Sequence, residues 1–421
     1  MDIRFRALRA LIAAADEGST NRAARALNLT QPAISHAIRL TEEQLGITLF
    51  KRHPKGVTPT ELGDIVIRRG RQAMQHLTAA EFEISRLARA AGGREGLKGL
   101  HRKLTHQNLV ALVSVARRGS VQYAAQETGY SQAVIWHALR ELRSLIGESL
   151  VEHRPSGMVP SVSGEVMIRN AKLALAEIRH IHDDLAAARG NISGRIVVGA
   201  LPLSRTILVP RAIAELSRRH PDVEPSIVDG PYSTLLSALR CGDLDLIVGA
   251  LRTPAPAEDV SEETLFCEPL SVAARVGHPL TRQAGLSLSD LAEQDWVVPI
   301  RGTPTRRIFD ALFKKAGVDP PKRLIESSSL VAVRALLMES DYLTFISRSQ
   351  IHYEEKFGIL TALPVDGLDG TRRPIGITTR SDAAPAPAVQ ELIRQLHVVS
   401  GDLYGETALE PPGRAGSRRH A

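Results

Sequence analysis

The chain repeats itself at an offset of 101 residues, and no other feature limits its possible folds so strongly. Residues 8–63 align with residues 109–164 without a gap. Gly18-Ser19 meets Gly119-Ser120, Ala23-Ala24 meets Ala124-Ala125, Gln31 meets Gln132, and His36-Ala37 meets His137-Ala138. Gly46, Pro54, Gly56, Pro59 and Gly63 stay in register with Gly147, Pro155, Gly157, Pro160 and Gly164. Glycine and proline fix turns, so copies that share them share backbone geometry. A length of 421 residues leaves room for two to four domains and excludes a single module.

Within the first copy, apolar Leu8, Leu11, Ile12 and Ala15 predict a helix over 5–17 that ends before Gly18. A short helix over 21–27 follows, and Asn28-Leu29 turns the chain. Thr30 then suits the N-cap of a helix over 31–45, with Pro32 in its first turn. Ile34, Ala37, Ile38, Thr41 and Leu45 face inward, which leaves Gln31, Pro32, Ser35, His36 and Arg39 facing out. A polar, partly basic helix end behind a tight helix–turn pair is what reading a major groove requires. Residues 49–57 read as a small hairpin wing whose Lys51, Arg52 and Lys55 would grip phosphates.

Charge supports this placement. The net +7 is uneven: residues 1–103 hold 18 Lys/Arg against 10 Asp/Glu, residues 104–190 hold 9 against 8, and residues 191–421 hold 26 against 28. A basic first quarter on a nearly neutral remainder indicates a nucleic-acid-binding arm or domain.

The stretch GSTNRAARALNLTQPAISHAIRLTEEQLGITLFKR, with its wing and the helix start at 60–63, resembles the winged helix-turn-helix of LysR-type transcriptional regulators. The resemblance covers nearly all of the chain except its last residues. It implies that Thr30, Gln31, Pro32, Ser35 and Arg39 approach DNA and that Arg52 contacts the backbone. It also implies a linker helix and a two-lobed sensor similar to periplasmic solute-binding proteins, working in a homodimer or homotetramer on promoter DNA with a small-molecule effector. The fold expected is therefore α/β, with N-terminal α-helical winged helix-turn-helix modules and a two-lobed effector domain.

The chain departs from that family in its second copy, where Pro32 becomes Ala133, Ser35 becomes Trp136, Lys51 becomes Glu152 and Lys55 becomes Ser156. Ser131, Gln132, Trp136, His137 and Arg140 are its candidate DNA contacts. Trp136 could stack on DNA or meet a thymine methyl, or it could bury in a protein interface. A module that keeps the fold with weakened or altered contacts is favoured over a second full reader. The expected divisions are a reader at 1–63, a helix and flexible linker at 64–103, a second module at 104–164, a linker and dimerisation helix at 165–190, the effector domain at 191–400 and a disordered tail at 401–421. Four glycines, Gly92, Gly93, Gly96 and Gly99, predict flexibility between the copies. The helix over 165–189 would span roughly 37 Å, which calls for a partner helix to pack against.

From residue 194 short apolar runs alternate with amphipathic helices, which predicts a mostly parallel sheet in two lobes with crossings near Glu268 and Thr371. Ligands in such sheets bind beyond the carboxyl ends of strands. That rule selects Ser204 and Arg205, Tyr232 and Ser233, Thr303, Thr305 and Arg306, and Ser327 and Ser328 as effector contacts, and the two arginines favour an anionic or polyhydroxylated ligand. By resemblance, the stretches around 199–216 and 228–252 suggest a subgroup tied to sugar and aromatic-acid catabolism. Phosphate-loop, HExxH, GxSxG and paired CxxC motifs are absent, so an enzyme, a cofactor and a metal site are not expected. His180, His182 and Asp183 diverge around a helix and make a poor metal site. Two cysteines and an N-terminus without signal-peptide order point to the cytoplasm and away from a membrane. The alternative is a small-molecule-binding protein or enzyme with accessory N-terminal interaction domains.

Overall fold

The structure is a computed structural model that describes residues 3–90, 92, 97, 99–252, 254–381 and 384–405. It divides into two compact units, Met1–Gly194 with Arg240–Asp243, and Arg195–Leu239 with Leu244–Ala421. Most of the expected glycine-rich linker lies outside the described residues.

The first unit holds α1 (Phe5–Glu17), α2 (Thr20–Ala26), α3 (Gln31–Leu45), the hairpin β1 (Phe50–His53) and β2 (Gly56–Pro59), and the long α4 (Glu61–Ala90). A short α5 (Leu100–Lys103) leads into the same order again: α6 (His106–Arg118), α7 (Val121–Thr128), α8 (Gln132–Ile146), β3 (Val151–Arg154), β4 (Gly157–Pro160) and α9 (Val162–Ala188). The agreement extends to single hydrogen bonds. Val57 N donates to Gly18 O at 3.0 Å, and Met158 N donates to Gly119 O at 2.7 Å, tying each wing to the end of its module's first helix. Thr60 Oγ1 donates to Thr48 O at 2.7 Å, and Ser161 Oγ donates to Ser149 O at 2.9 Å.

These contacts explain the glycine punctuation. A Cβ on Gly63 or Gly164 would lie 2.1 or 1.9 Å from the carbonyl oxygen of Leu49 or Leu150, so only glycine lets the long helix start against the hairpin. The turn before each recognition helix needs a left-handed residue, supplied by Asn28 (φ 53°) in one module and Gly129 (φ 71°) in the other. One continuous core, from Phe5 and Leu8 through Leu77 and Ile84 to Leu112 and Ile178, runs through both modules and both long helices. The divisions at 63, 103 and 164 therefore fall inside one compact body.

The second unit contains β5 (Gly194–Ala200), α10 (Leu208–Arg219), β6 (Val223–Val228), α11 (Tyr232–Arg240), β7 (Leu246–Ala250), β8 (Val260–Glu268) and β9 (Leu270–Arg275). It continues through α12 (Leu288–Ala292), β10 (Trp296–Val298), α13 (Pro304–Ala316), β11 (Leu324–Glu326), α14 (Leu330–Glu339), β12 (Leu343–Ser347), α15 (His352–Lys356), β13 (Leu360–Ala362), β14 (Arg373–Arg380) and α16 (Pro387–Tyr404). Two five-stranded sheets form, in the orders β6-β5-β7-β14-β8 and β11-β10-β12-β9-β13. Both are mixed, which corrects the expectation of mostly parallel sheets. β5 and β7 are parallel but β14 runs antiparallel to β7 and β8, and β9 runs antiparallel to β12 and β13. The reason is topological: the chain crosses between lobes twice, and each crossing strand enters against the direction of its neighbours. Thr371 joins the crossings, accepting from Leu270 N at 2.9 Å and donating to Leu368 O at 2.6 Å.

The expected tail at 401–421 is also corrected at its start. α16 continues to Tyr404, whose ring stacks on Phe266 with centroids 3.7 Å apart. The tail expected beyond residue 405 lies outside the described residues.

Candidate nucleic-acid interface and effector cleft

In the first module α3 has Thr30 at its N-cap position and Pro32 in its first turn, and it buries Ile34, Ile38 and Thr41. Thr30, Pro32, His36 and Arg39 are exposed, and Gln31 and Ser35 are half-buried. Gln31 Nε2 donates to Ser35 Oγ at 2.7 Å and to Thr20 Oγ1 at 3.3 Å, which holds its amide at the helix end. Arg39 lies 3.7 Å from Glu43 and 3.4 Å from His36 Nδ1 on an exposed surface. Such a pair is worth about 0–1 kcal/mol, so a phosphate can displace it. Lys51, Arg52 and Lys55 are all exposed on the hairpin. Arg22 and Arg25 on α2 are exposed beside this face as well, and the sequence reading passed over them.

The second module places Ser131, Gln132, Trp136, His137 and Arg140 on the exposed side of α8. Ser131 Oγ is committed to the fold, accepting from Val134 N at 3.3 Å. Trp136, in place of Ser35, is 46% exposed and Tyr123, in place of Arg22, is 59% exposed, so the face gains two aromatic rings and loses one cation. On the wing Glu152 pairs with Arg154 at 3.0 Å. Glu127 binds both Arg117 and Arg118, and these arginines hold its carboxyl below the usual range.

In the second unit several expected effector contacts are already committed. Ser204 is fully buried and its hydroxyl donates to Val248 O at 2.6 Å, so it locks the end of β5 instead of facing a ligand. Arg306 is buried against Asp310 at 2.8 Å and Glu326 at 2.9 Å, which removes it from the anion-binding set. Thr303 accepts from Arg306 N and Ser327 from Ser329 N, as helix-start and turn hydroxyls do. Arg205 pairs with Asp229, and Ser233 and Ser328 are exposed.

Thr305 and Tyr232 instead belong to a group organised by Arg373, a residue the sequence reading missed. Arg373 opens β14 and donates to Thr305 Oγ1 at 2.8 Å and Ser347 Oγ at 3.0 Å in the other lobe. It has no carboxylate within ion-pair distance among the described residues, and its buried Nε lacks a hydrogen-bond partner. Burial lowers its pKa to about 10, Glu268 opposing and Arg252 reinforcing the shift. Arg252 follows β7 at the same end of the sheet and stacks over Tyr232, 4.1 Å from the ring centroid. The Tyr232 hydroxyl is buried without a partner, and burial with the nearby Glu262 raises its pKa. Two poorly neutralised guanidinium groups and an unpartnered phenol at a lobe junction form a site suited to an anion.

A winged helix-turn-helix joined to a two-lobed α/β unit defines a transcription regulator with a separate ligand-binding part. The LysR substrate binding domain matches residues 189–399, and the bacterial regulatory helix-turn-helix of the lysR family matches residues 5–64 and again residues 106–165. The chain belongs to the LysR family of transcriptional regulators. It is 33% identical over 386 residues to the HTH-type transcriptional regulator GalR of Pseudomonas putida, covering 92% of this chain and 94% of that one. It is 32% identical over 303 residues to the regulator PcaQ of Agrobacterium fabrum, covering 72% of this chain and 97% of that one. Among solved structures, a full-length OxyR variant from Pseudomonas aeruginosa aligns with a TM-score of 0.57 at 23% identity, over 70% of this chain and 95% of that one. CbnR complexed with its target DNA aligns with a TM-score of 0.51 at 18% identity, over 70% of this chain and the whole of that one. No helix among the described residues is long and apolar enough to cross a membrane.

Proposed function

We propose that this regulator carries a duplicated winged helix-turn-helix, that its first copy reads promoter DNA, and that its second unit senses a small anionic metabolite. The observation that carries the reading is the exposed Thr30, His36 and Arg39, with the half-buried Gln31 and Ser35 between them, and a wing bearing Lys51, Arg52 and Lys55. Duplication is supported by hydrogen bonds that recur at the repeat's own offset. It is also supported by the GalR relative, whose match spans nearly the full length of both chains. The cytoplasm, self-association as a homodimer or homotetramer, and a role without catalysis belong to the same reading. The effector site centres on Arg373, Arg252, Tyr232 and Thr305, which favours a small carboxylate over a neutral sugar.

Binding of the full chain to the intergenic duplex beside its own gene tests the reader. Specific retardation should be lost with Gln31→Ala combined with Arg39→Ala, and an unchanged footprint refutes the assignment. Thermal melting against a panel of small mono- and dicarboxylates tests the sensor. A ligand that raises the melting temperature should do so at least tenfold more weakly in Arg373→Met, and equal potency in that variant refutes the site.

A further inference from the structure

The two long helices of the first unit obey a symmetry. Arg68 and Arg169 occupy equivalent positions in the repeat, as do Glu83 and Asp184. Arg68 on α4 lies 3.3 Å from Asp184 on α9, and Arg169 on α9 lies 2.6 Å from Glu83 on α4. His76 and Glu177 are also equivalent, and they meet each other at 4.0 Å. The equivalent Phe5 and His106 meet as well, their ring centroids 6.1 Å apart. When residue i touches the equivalent of j, and j touches the equivalent of i, the contact is isologous, and self-equivalent contacts mark its axis. Buried positions agree: Val66, Leu77 and Ile84 correspond to Met167, Ile178 and Leu185.

We infer that the first unit is an internal twofold pair, in which one chain presents two unlike reading heads, α3 and α8, in inverted orientation to a bipartite DNA element. This inference rests on the DNA-reading function proposed above. In regulators that are dimers, operator symmetry mirrors protein symmetry. Here the axis relates two copies within one polypeptide, and their reading faces differ, so the matching element has two different half-sites.

Asymmetry at the seam selects this pairing. Arg69 is buried against Asp184 at 2.8 Å and Glu177 at 2.9 Å, whereas its equivalent, Asn170, turns back to Val166 O at 2.9 Å. Pairing α9 with α9 from another chain would bring two Glu177 carboxylates together and leave Asp184 facing Asn170 instead of Arg69. The α4–α9 pair is thus favoured and an α9–α9 pair opposed, as specificity by repulsion requires. The start of α5 is tied back to α4, since Glu81 accepts from Gly99 N at 2.7 Å and His101 N at 3.1 Å.

The test is selection of duplexes from a random pool by the full chain, with native mass spectrometry on the enriched sequence. The inference expects two unlike half-sites in inverted orientation, both engaged by a single chain of whatever oligomer binds, with Trp136→Ser altering preference at one half-site and Gln31→Ala at the other. A single half-site untouched by Trp136→Ser overturns it, as does a palindrome of identical half-sites carrying two chains. Enrichment of nothing removes the DNA-reading function beneath it. Cross-linking checks the seam without DNA: with Cys241→Ser, a short bismaleimide should bridge, through two thioether bonds, the thiols introduced by His76→Cys and Glu177→Cys within one chain, and a covalent dimer overturns the internal pairing.

Discussion

The two modules of the first unit share a scaffold and differ in what their helix ends do. In the second module the N-cap side chains of all three helices, Thr105, Ser120 and Ser131, accept hydrogen bonds from the turns they start. In the first, the corresponding residues Arg4, Ser19 and Thr30 make no such bond. The module whose first three helices lack side-chain caps carries the basic wing, and the one whose first three are capped carries Glu152, Trp136 and Tyr123. Backbone-determined features, such as the glycine approaches at 63 and 164, are held in common. The divergence lies in the side chains that can serve either the fold or a ligand.

The largest effect that would break the comparison concerns what the modules share. Burial opposes the Arg69 charge, yet the bonds from Asp184 and Glu177 more than offset this and raise its pKa. Arg69→Met removes the buried cation that Asp184 and Glu177 share, leaving Asp184 with the exposed Arg68, and should cost about 3–5 kcal/mol. Denaturant unfolding followed by fluorescence from Trp136, in a chain also carrying Trp296→Phe, and by circular dichroism checks it, and loss of one module while the other persists would contradict a common core.

Reading power should come next. Each well-formed base contact is worth about 1–3 kcal/mol, so Gln31→Ala with Arg39→Ala should weaken specific binding about 100-fold or more, against less than about tenfold for Gln132→Ala with Arg140→Ala. Equal losses in a retardation assay would make the second module a full reader. The wings separate the modules in another way: Lys51→Ala should lower the salt slope of binding by about 1, and Glu152→Lys should raise it by about 1 if that wing lies near phosphate.

Much of this contrast is legible in the sequence, because punctuation and apolar spacing are local signals. The helix over 31–45, the hairpin at 49–57 with its repeat, and the alternation of strands and helices from residue 194 follow from them. What escaped depends on long-range neighbours. β8 reads VSEETLFCE, with too many acidic residues to suggest a strand, yet it forms a sheet edge beside β14, where exposed charge is tolerated. Arg373 gives no local sign, since its meaning comes from Thr305 and Ser347, far away in sequence. Ser204 and Arg306 misled for the opposite reason: hydroxyls and cations at helix starts look available until their partners are known. The helix at 165–189 needed a partner, and the sequence did not show that residues 61–90 supply it.

The smallest effect gives the sharpest test of divided labour between the modules. Thr105 Oγ1 accepts from Asn108 N at 3.2 Å, and the Asn108 side chain accepts in turn from Thr105 N at 3.0 Å, a reciprocal cap. Removing it with Thr105→Ala should cost about 1 kcal/mol of stability and leave DNA affinity unchanged. Thr30 is at the same kind of position with no capping bond to lose, so Thr30→Ala should change stability by less than about 0.5 kcal/mol. If its hydroxyl faces phosphate or a base edge, the same substitution should weaken binding several-fold. Paired melting and retardation measurements on the two variants should therefore move in opposite columns. A stability loss at Thr30 matching that at Thr105 would show that both modules use their caps alike, and that the basic wing alone distinguishes the first as the reader.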